Sequence, residues 1–191
     1  MQEIKATFWD KPTGEDMDLS FQHRIKGWKF YFAPKAKVDH MHRADLKSLR
    51  KVWVTYGQAH PPLIDKYVKK KGIEIIPQFL NSKASIIIPC FLKGFIYLGN
   101  FHLMHIFGLL SIVSFMFSRI FKYSFWPVFT IASFLCTIYF TFQYIKWNLF
   151  MEPRNKFLVW CKMKYLTNLS FVIGGIKDFK KYKVFCIEPS F

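Results

Sequence analysis

The stretch Gly94–Ser118, GFIYLGNFHLMHIFGLLSIVSFMFS, decides the fold. It carries no Asp, Glu, Lys or Arg and exceeds the roughly 20 residues a helix needs to cross the hydrocarbon of a bilayer. A second run follows at once. Tyr123–Ile145, YSFWPVFTIASFLCTIYFTFQYI, is equally free of formal charge, with Trp126, Tyr144 and Trp147 near its ends as interfacial anchors. The link Arg119-Ile120-Phe121-Lys122 is so short that the two predicted helices must turn back on each other, which puts both flanks on one side of the membrane. Lys66, Lys69, Lys70, Lys71, Lys83 and Lys93 precede the hairpin, and Lys146, Arg154, Lys156, Lys162 and Lys164 follow it, against only Arg119 and Lys122 in the turn. Positive residues concentrate on the cytoplasmic side of membrane helices, so an integral protein of the cell inner membrane with both termini cytoplasmic is predicted.

Composition agrees. The chain has 191 residues and a net charge of +16, is 52% hydrophobic and 20% aromatic, and contains 23 Phe, a balance unlike that of an ordinary soluble domain. Aromatic and aliphatic excess with strong positive charge suits a membrane protein whose polar parts face an anionic leaflet or phosphate. Cys90, Cys136, Cys161 and Cys186 are scattered and form no CxxC pair, so neither a zinc site nor a disulfide framework is predicted and the thiols are read as reduced. Met1-Gln2-Glu3-Ile4-Lys5 lacks the apolar core of a cleavable signal peptide. Within the first span, His102 and His105 fall on one helix face. Ionisable residues at membrane depth can mark a proton path. With two spans and no acidic partner, a helix-packing hydrogen bond or contact with the polar group of a lipid acceptor fits better.

The segments on either side of the hairpin read as interfacial helices. From Asp45, a predicted N-cap, Leu46, Leu49, Trp53 and Tyr56 recur at helical spacing, with Lys47, Arg50 and Lys51 on the other side. Gly57 and Pro61-Pro62 are expected to end this helix, and Leu63–Lys71 to form a second short one closed by Gly72. Ser85–Leu92 is apolar but short and interrupted by Pro89, and is read as a lead-in to the first span. After the hairpin, Asn155–Ile176 is helix-length, and Lys162 and Lys164 within it favour the headgroup layer over spanning. Gly174-Gly175 allows a bend or a close helix contact, and the basic tail Lys177, Lys180, Lys181 and Lys183 follows. Tyr182 and Phe185 interleave with that charge, but no nucleic-acid recognition motif accompanies it, so leaflet binding is the simpler account.

Near the N-terminus, Gly14-Glu15-Asp16-Met17-Asp18-Leu19-Ser20 places carboxylates where a helix should begin. Free backbone N–H groups and the positive end of the macrodipole favour negative charge there, and acidic caps as well as acidic active sites use that position. The motif continues through a helix bearing Arg24, closed by Gly27-Trp28, into an aromatic strand Lys29-Phe30-Tyr31-Phe32 that ends at Ala33-Pro34, and then Val38-Asp39-His40-Met41-His42. In order and spacing this resembles the acceptor-side half of family 2 glycosyltransferases. The resemblance is specific over roughly the first sixty residues. Beyond them it rests on the pair of membrane helices and the Gly-Gly-containing amphipathic tail.

The resemblance implies an inverting transfer from a nucleotide-sugar. Such a reaction needs a base to take the proton of an acceptor hydroxyl as it attacks the anomeric carbon, and an electrophilic group to stabilise the departing nucleoside diphosphate. It implies Asp16 as the base, Glu15 as the residue positioning the acceptor hydroxyl, Asp18 as the anchor of the helix start, and Asp18, Arg24 and Trp28 as substrate-binding positions. His40 or His42 matches a late histidine able to ligate a divalent metal, Mg or Mn, and the alternation of a strand-like run leaves both open. Gln22-His23-Arg24-Ile25-Lys26 does not reproduce the Gln-x-x-Arg-Trp of processive members, so a non-processive enzyme acting on a lipid-linked or membrane-proximal acceptor is expected. The nucleotide-sugar half of such an enzyme, with its Asp-x-Asp motif, belongs ahead of Gln2 and is expected to have been lost or to come from a separate donor-binding chain. The competing reading is a non-catalytic, membrane-anchored remnant or scaffold that binds anionic lipid and a partner protein.

The predicted fold is therefore a membrane α-helical protein with a partial α/β, truncated GT-A-type N-terminal region. Residues 1–43 form the catalytic-domain remnant, 44–93 the interfacial amphipathic helices, 94–145 the transmembrane hairpin, and 146–191 an interfacial helix and basic tail.

Overall fold

A computed structural model of the protein describes residues 9–11, 13–31, 33–37, 45–77, 85–121, 123, 125–151 and 156–187. In chain order its elements are α1 (Glu15–Ile25), α2 (Leu46–Tyr67), β1 (Gly72–Pro77), β2 (Ile86–Ile88), β3 (Lys93–Leu98), α3 (Asn100–Ile120), α4 (Phe125–Met151), α5 (Phe157–Lys177), α6 (Phe179–Tyr182) and β4 (Val184–Ile187).

Two helices are long and apolar enough to cross a membrane. α3 has 21 residues and α4 has 27, lengths of about 31 and 40 Å at 1.5 Å per residue. Only 17% and 6% of their most apolar windows are buried by the rest of the protein, whereas the core helix of a soluble domain would be mostly covered. The pair is apolar outside and polar inside. Leu109, Ile112, Leu135 and Phe142 face outward, while Ser114 and Ser133 are buried between the helices. The Ser114 hydroxyl lies 2.9 Å from that of Thr130 across the pair, Gly108 lets α3 approach Thr137, and Phe107 stacks on Phe140 at 5.5 Å.

The first helix starts later than predicted. Gly94–Leu98, read as the opening of the first span, belongs to β3. Lack of charge does not distinguish a buried strand from a spanning helix, and here backbone pairing with neighbouring strands decides. Ser85–Leu92, read as a lead-in, contributes β2, for which the β-branched run Ile86-Ile87-Ile88 is well suited. The sheet order is β2-β1-β3-β4, with β1 antiparallel to β2 and parallel to β3, and β3 parallel to β4. Ile75 opposes Ile96, which in turn opposes Ile187. The crossover from β3 to β4 contains the whole hairpin and α5, so the two apolar helices are an insertion between two neighbouring strands. Gly94, at φ 146°, is required at its place because a Cβ there would run into the Phe185 carbonyl of β4.

α2 is also longer than predicted. Asp45 caps it as expected, accepting from the Ser48 N–H at 2.8 Å, but the helix passes Gly57, Pro61 and Pro62 without a break. The prolines remove two backbone donors. Packing outweighs that loss, because Pro61, Pro62, Leu63 and Ile64 are all buried and Ile64 joins Val184 and Cys186 in the core. Gly57 has a different task. It meets Gly174 of α5 so closely that a Cβ on Gly57 would strike the Phe171 carbonyl, and one on Gly174 the Val54 carbonyl. The close helix contact allowed by Gly174-Gly175 is thus what forms, and Gly175 leaves room for the Cys186 carbonyl of β4, which a Cβ there would strike. The basic tail carries α6 and β4, so part of it is core.

Candidate active site

α1 begins at Gly14, whose φ of 92° lies in the left-handed region and whose missing side chain lets it sit against Ala59 and Leu63 of α2. Around this junction the Thr13 hydroxyl donates to the Thr55 carbonyl at 3.0 Å, and the Trp9 indole donates to the Thr13 carbonyl at 2.7 Å. The start of α1 is thereby fastened to the middle of α2.

One turn on, Asp18 is buried, with 1% of its surface exposed. Its Oδ1 accepts from Lys66 Nζ at 2.7 Å and from the Tyr67 hydroxyl at 2.6 Å, and its Oδ2 accepts from Gln22 Nε2 at 2.6 Å. Burial alone would raise the Asp18 carboxyl, but hydrogen bonds from Lys66, Tyr67 and Gln22 and the Lys66 charge outweigh it and hold the carboxyl below its ordinary value. The hydrogen bond to Asp18 raises Lys66 in turn, while burial first and then Asp18 raise Tyr67. Lys66 also lies 5.2 Å from the centroid of the Trp9 ring. Asp18 therefore anchors α1 to α2. Its carboxylate is buried and shared among Lys66, Tyr67 and Gln22 and is not presented at the surface.

Glu15 and Asp16 differ from it. Both are exposed in the first turn of α1, and Asp16 Oδ1 accepts from the Met17 N–H at 2.8 Å. At the other end of the helix Arg24 is exposed, with no acidic side chain in ion-pair reach among the described residues. Trp28 is half exposed and stands edge-on to His23 at 5.6 Å. The structure thus keeps Glu15 and Asp16 together at one end of a pinned helix, with Arg24 and Trp28 at the other. Residues 29–31 of the predicted aromatic strand are exposed, pair with no strand of the sheet and are not a strand themselves, while Phe32 lies outside the described residues. His40 and His42 lie outside them too. Among the described residues no three His, Cys, Asp or Glu side chains gather as a metal would require.

Sequence reasoning missed Lys66, Tyr67 and Gln22. Gln22 follows Asp18 by four residues, a helical contact that spacing could have suggested. Lys66 is indistinguishable by sequence from Lys69, Lys70 and Lys71. The histidines of the first helix divide. His105 Nε2 lies 2.9 Å from the Tyr165 hydroxyl of α5, the helix-packing bond expected of it, whereas His102 is buried with neither ring nitrogen paired. Comparisons with protein-family models, curated proteins and solved structures returned no match.

Proposed function

We propose that this chain is the acceptor-side and membrane part of an inverting, non-processive glycosyltransferase of family 2 type. The observation that carries the reading is the separation of the acidic trio: Asp18 is consumed in holding α1 to α2, leaving Glu15 and Asp16 exposed at an immobilised helix start. Asp16 takes the proton of an acceptor hydroxyl as its oxygen attacks the anomeric carbon of a nucleotide-sugar, the nucleoside diphosphate departs, and Glu15 orients the hydroxyl. Fixing the carboxylate before reaction removes an entropic cost from that step. Arg24, near the far end of α1, and Trp28, just beyond it, are exposed and would bind a more distant part of the substrates. In this reading His40 or His42 would hold a divalent Mg or Mn ion that would stabilise the departing diphosphate, and a donor-binding half completes the site.

In this reading α3 and α4 cross the inner membrane, the Lys- and Arg-rich flanks remain cytoplasmic, and the acceptor is lipid-linked or membrane-proximal. The test is sugar transfer by membranes holding the chain together with a donor-binding half. Asp16→Asn is expected to abolish transfer with membrane insertion unchanged. Near-normal turnover by that variant removes Asp16 from the base role, and no transfer from UDP-, GDP- or dTDP-sugars by the unaltered chain favours the scaffold.

A further inference from the structure

We infer that a second copy of this chain docks along the outer face of α4, with the two α4 helices side by side and Tyr139 of each copy hydrogen-bonded to Gln143 of the other. The inference rests on the membrane crossing proposed above. The two sides of α4 differ. Thr130, Ser133 and Thr137 are turned to α3: the Thr130 hydroxyl lies 2.9 Å from that of Ser114, Ser133 is buried, and Thr137 lies against Gly108. α5 meets the same side, where Asn168 donates to the Tyr144 hydroxyl. At about 100° per residue, Val128, Ala132, Tyr139 and Gln143 fall on one line nearly opposite that side. Val128 and Tyr139 are 66% and 57% exposed, Ala132 is exposed, and Gln143 is partly so.

That face is not simply apolar. Tyr139 lies near the middle of the apolar run Phe125–Leu149, and Gln143 is one turn further on. Thr130, Thr137 and Thr141 each donate to the carbonyl four residues back in their own helix. The Tyr139 phenol and the Gln143 amide have no hydrogen-bond partner among the described residues. Hydrocarbon offers them none, and a second helix that does so recovers the free energy of leaving polar groups unpaired. The line is complementary to itself. Copies of one membrane protein share an orientation, so a two-fold axis along the bilayer normal sets identical α4 helices parallel and brings the line of one against that of the other. Side chains lean toward the N-terminus of their helix, which carries Gln143 toward the level of the partner's Tyr139. Each phenol then donates to the carboxamide oxygen of the other copy, and one pairing makes both bonds. Ala132, two turns earlier, lets the backbones approach, as small residues do between membrane helices. Lys146, next on the line, stands near the end of the apolar run, from which its ammonium can reach water. Lipid chains could cover this face by shape, but they leave the phenol and the amide unpaired.

The test uses the full chain, labelled at its N-terminus with a donor or an acceptor fluorophore, mixed and reconstituted in phosphatidylcholine liposomes over a range of lipid dilutions. Energy transfer is expected to fit two chains per complex. Tyr139→Phe/Gln143→Leu removes the polar groups at nearly constant volume and suits lipid, so insertion should hold while association weakens at least tenfold. Ala132→Phe should weaken it as much by keeping the backbones apart. Phe134→Leu, exposed on α4 but off the line, should leave association within twofold. A monomer at every dilution overturns the proposal, as does a dimer that Tyr139→Phe/Gln143→Leu leaves at full strength. Energy transfer that fits three or more chains overturns the two-fold pairing. Release of the chain from the liposomes by alkaline carbonate would overturn the membrane crossing and the dimer with it; resistance to carbonate without energy transfer overturns the dimer alone.

Discussion

The two helix pairs of this protein meet through different contacts. Between α2 and α5 the backbones touch at Gly57 and Gly174, and the flanking contacts are apolar and aromatic, with Trp53 and His60 set against Phe171. Between α3 and α4 the buried side chains include Ser114 and Ser133, and the large aliphatic and aromatic residues point away from the protein. Water rewards the first arrangement because apolar area leaves it. The second pair is long and apolar enough to cross a membrane, and lipid would give no such reward for bringing helices together, leaving close approach of small residues and hydroxyl contacts to hold it. Neighbouring parts of one chain thus rely on different contacts, and β3 runs directly into α3, the first helix of the second pair.

The largest test of that contrast is Gly57→Leu. Any side chain there collides with backbone of α5, so a loss of about 3 kcal/mol or more is expected, read as a lowered thermal midpoint and early protease cleavage within α2. A native melting profile would mean that the pair is not in contact. Leu135→Arg, on the outward face of α4, should cost about 2.5 kcal/mol in membrane insertion, measured by glycosylation-mapped insertion of the hairpin. Full insertion of this variant would put that face in water or against protein.

Lys66→Met should destabilise the docking of α1 by about 2 kcal/mol, a value kept modest because Lys66 is 40% exposed and Tyr67 and Gln22 still serve Asp18. Faster amide exchange confined to α1 is the readout. The same junction should respond to acid. Because the Asp18 carboxyl is depressed on folding, its contribution is present above the ordinary aspartate value of about 4 and is lost as pH falls through the lower folded value. Lys66 is raised, so its contribution holds below the ordinary lysine value and is lost only as pH rises past the folded one. Docking is therefore expected to be flat around neutral pH; a transition near pH 6 or 7 would assign it to another group. Ser114→Ala is the smallest change, about 0.6 kcal/mol of α3–α4 association, and a similar effect from Ser118→Ala, whose hydroxyl bonds only within its own helix, would remove the interhelical contact as the cause.

How far the sequence was legible followed the range of the interactions. The Asp45 cap, the α2 stripe and the hairpin were readable because caps, periodicity and uncharged length are local. The passage of α2 through Pro61-Pro62 was not, since the packing that offsets two lost backbone bonds comes from β4, over a hundred residues away. β3 was hidden for the same reason: Gly94–Leu98 gains its partners from β1 and β4, and its composition matches that of the helix it precedes. At the candidate site, the acidic cluster was visible but its division of labour was not. Asp16 and Asp18 have the same side chain two residues apart, and helical geometry turns one to solvent and the other to Lys66.

By itself, then, the sequence determined that this chain has two uncharged helix-length runs, an amphipathic partner helix and carboxylates at a helix start, because each depends on residues within a few turns of one another. Tertiary structure alone decided that the spans interrupt a parallel strand pair, that Gly57 and Gly174 bring two helices into backbone contact, and that Asp18 locks the helix on which Glu15 and Asp16 stay free. Each joins residues far apart in the chain, and the burial and hydrogen bonding that favour them exist only once the chain has closed on itself.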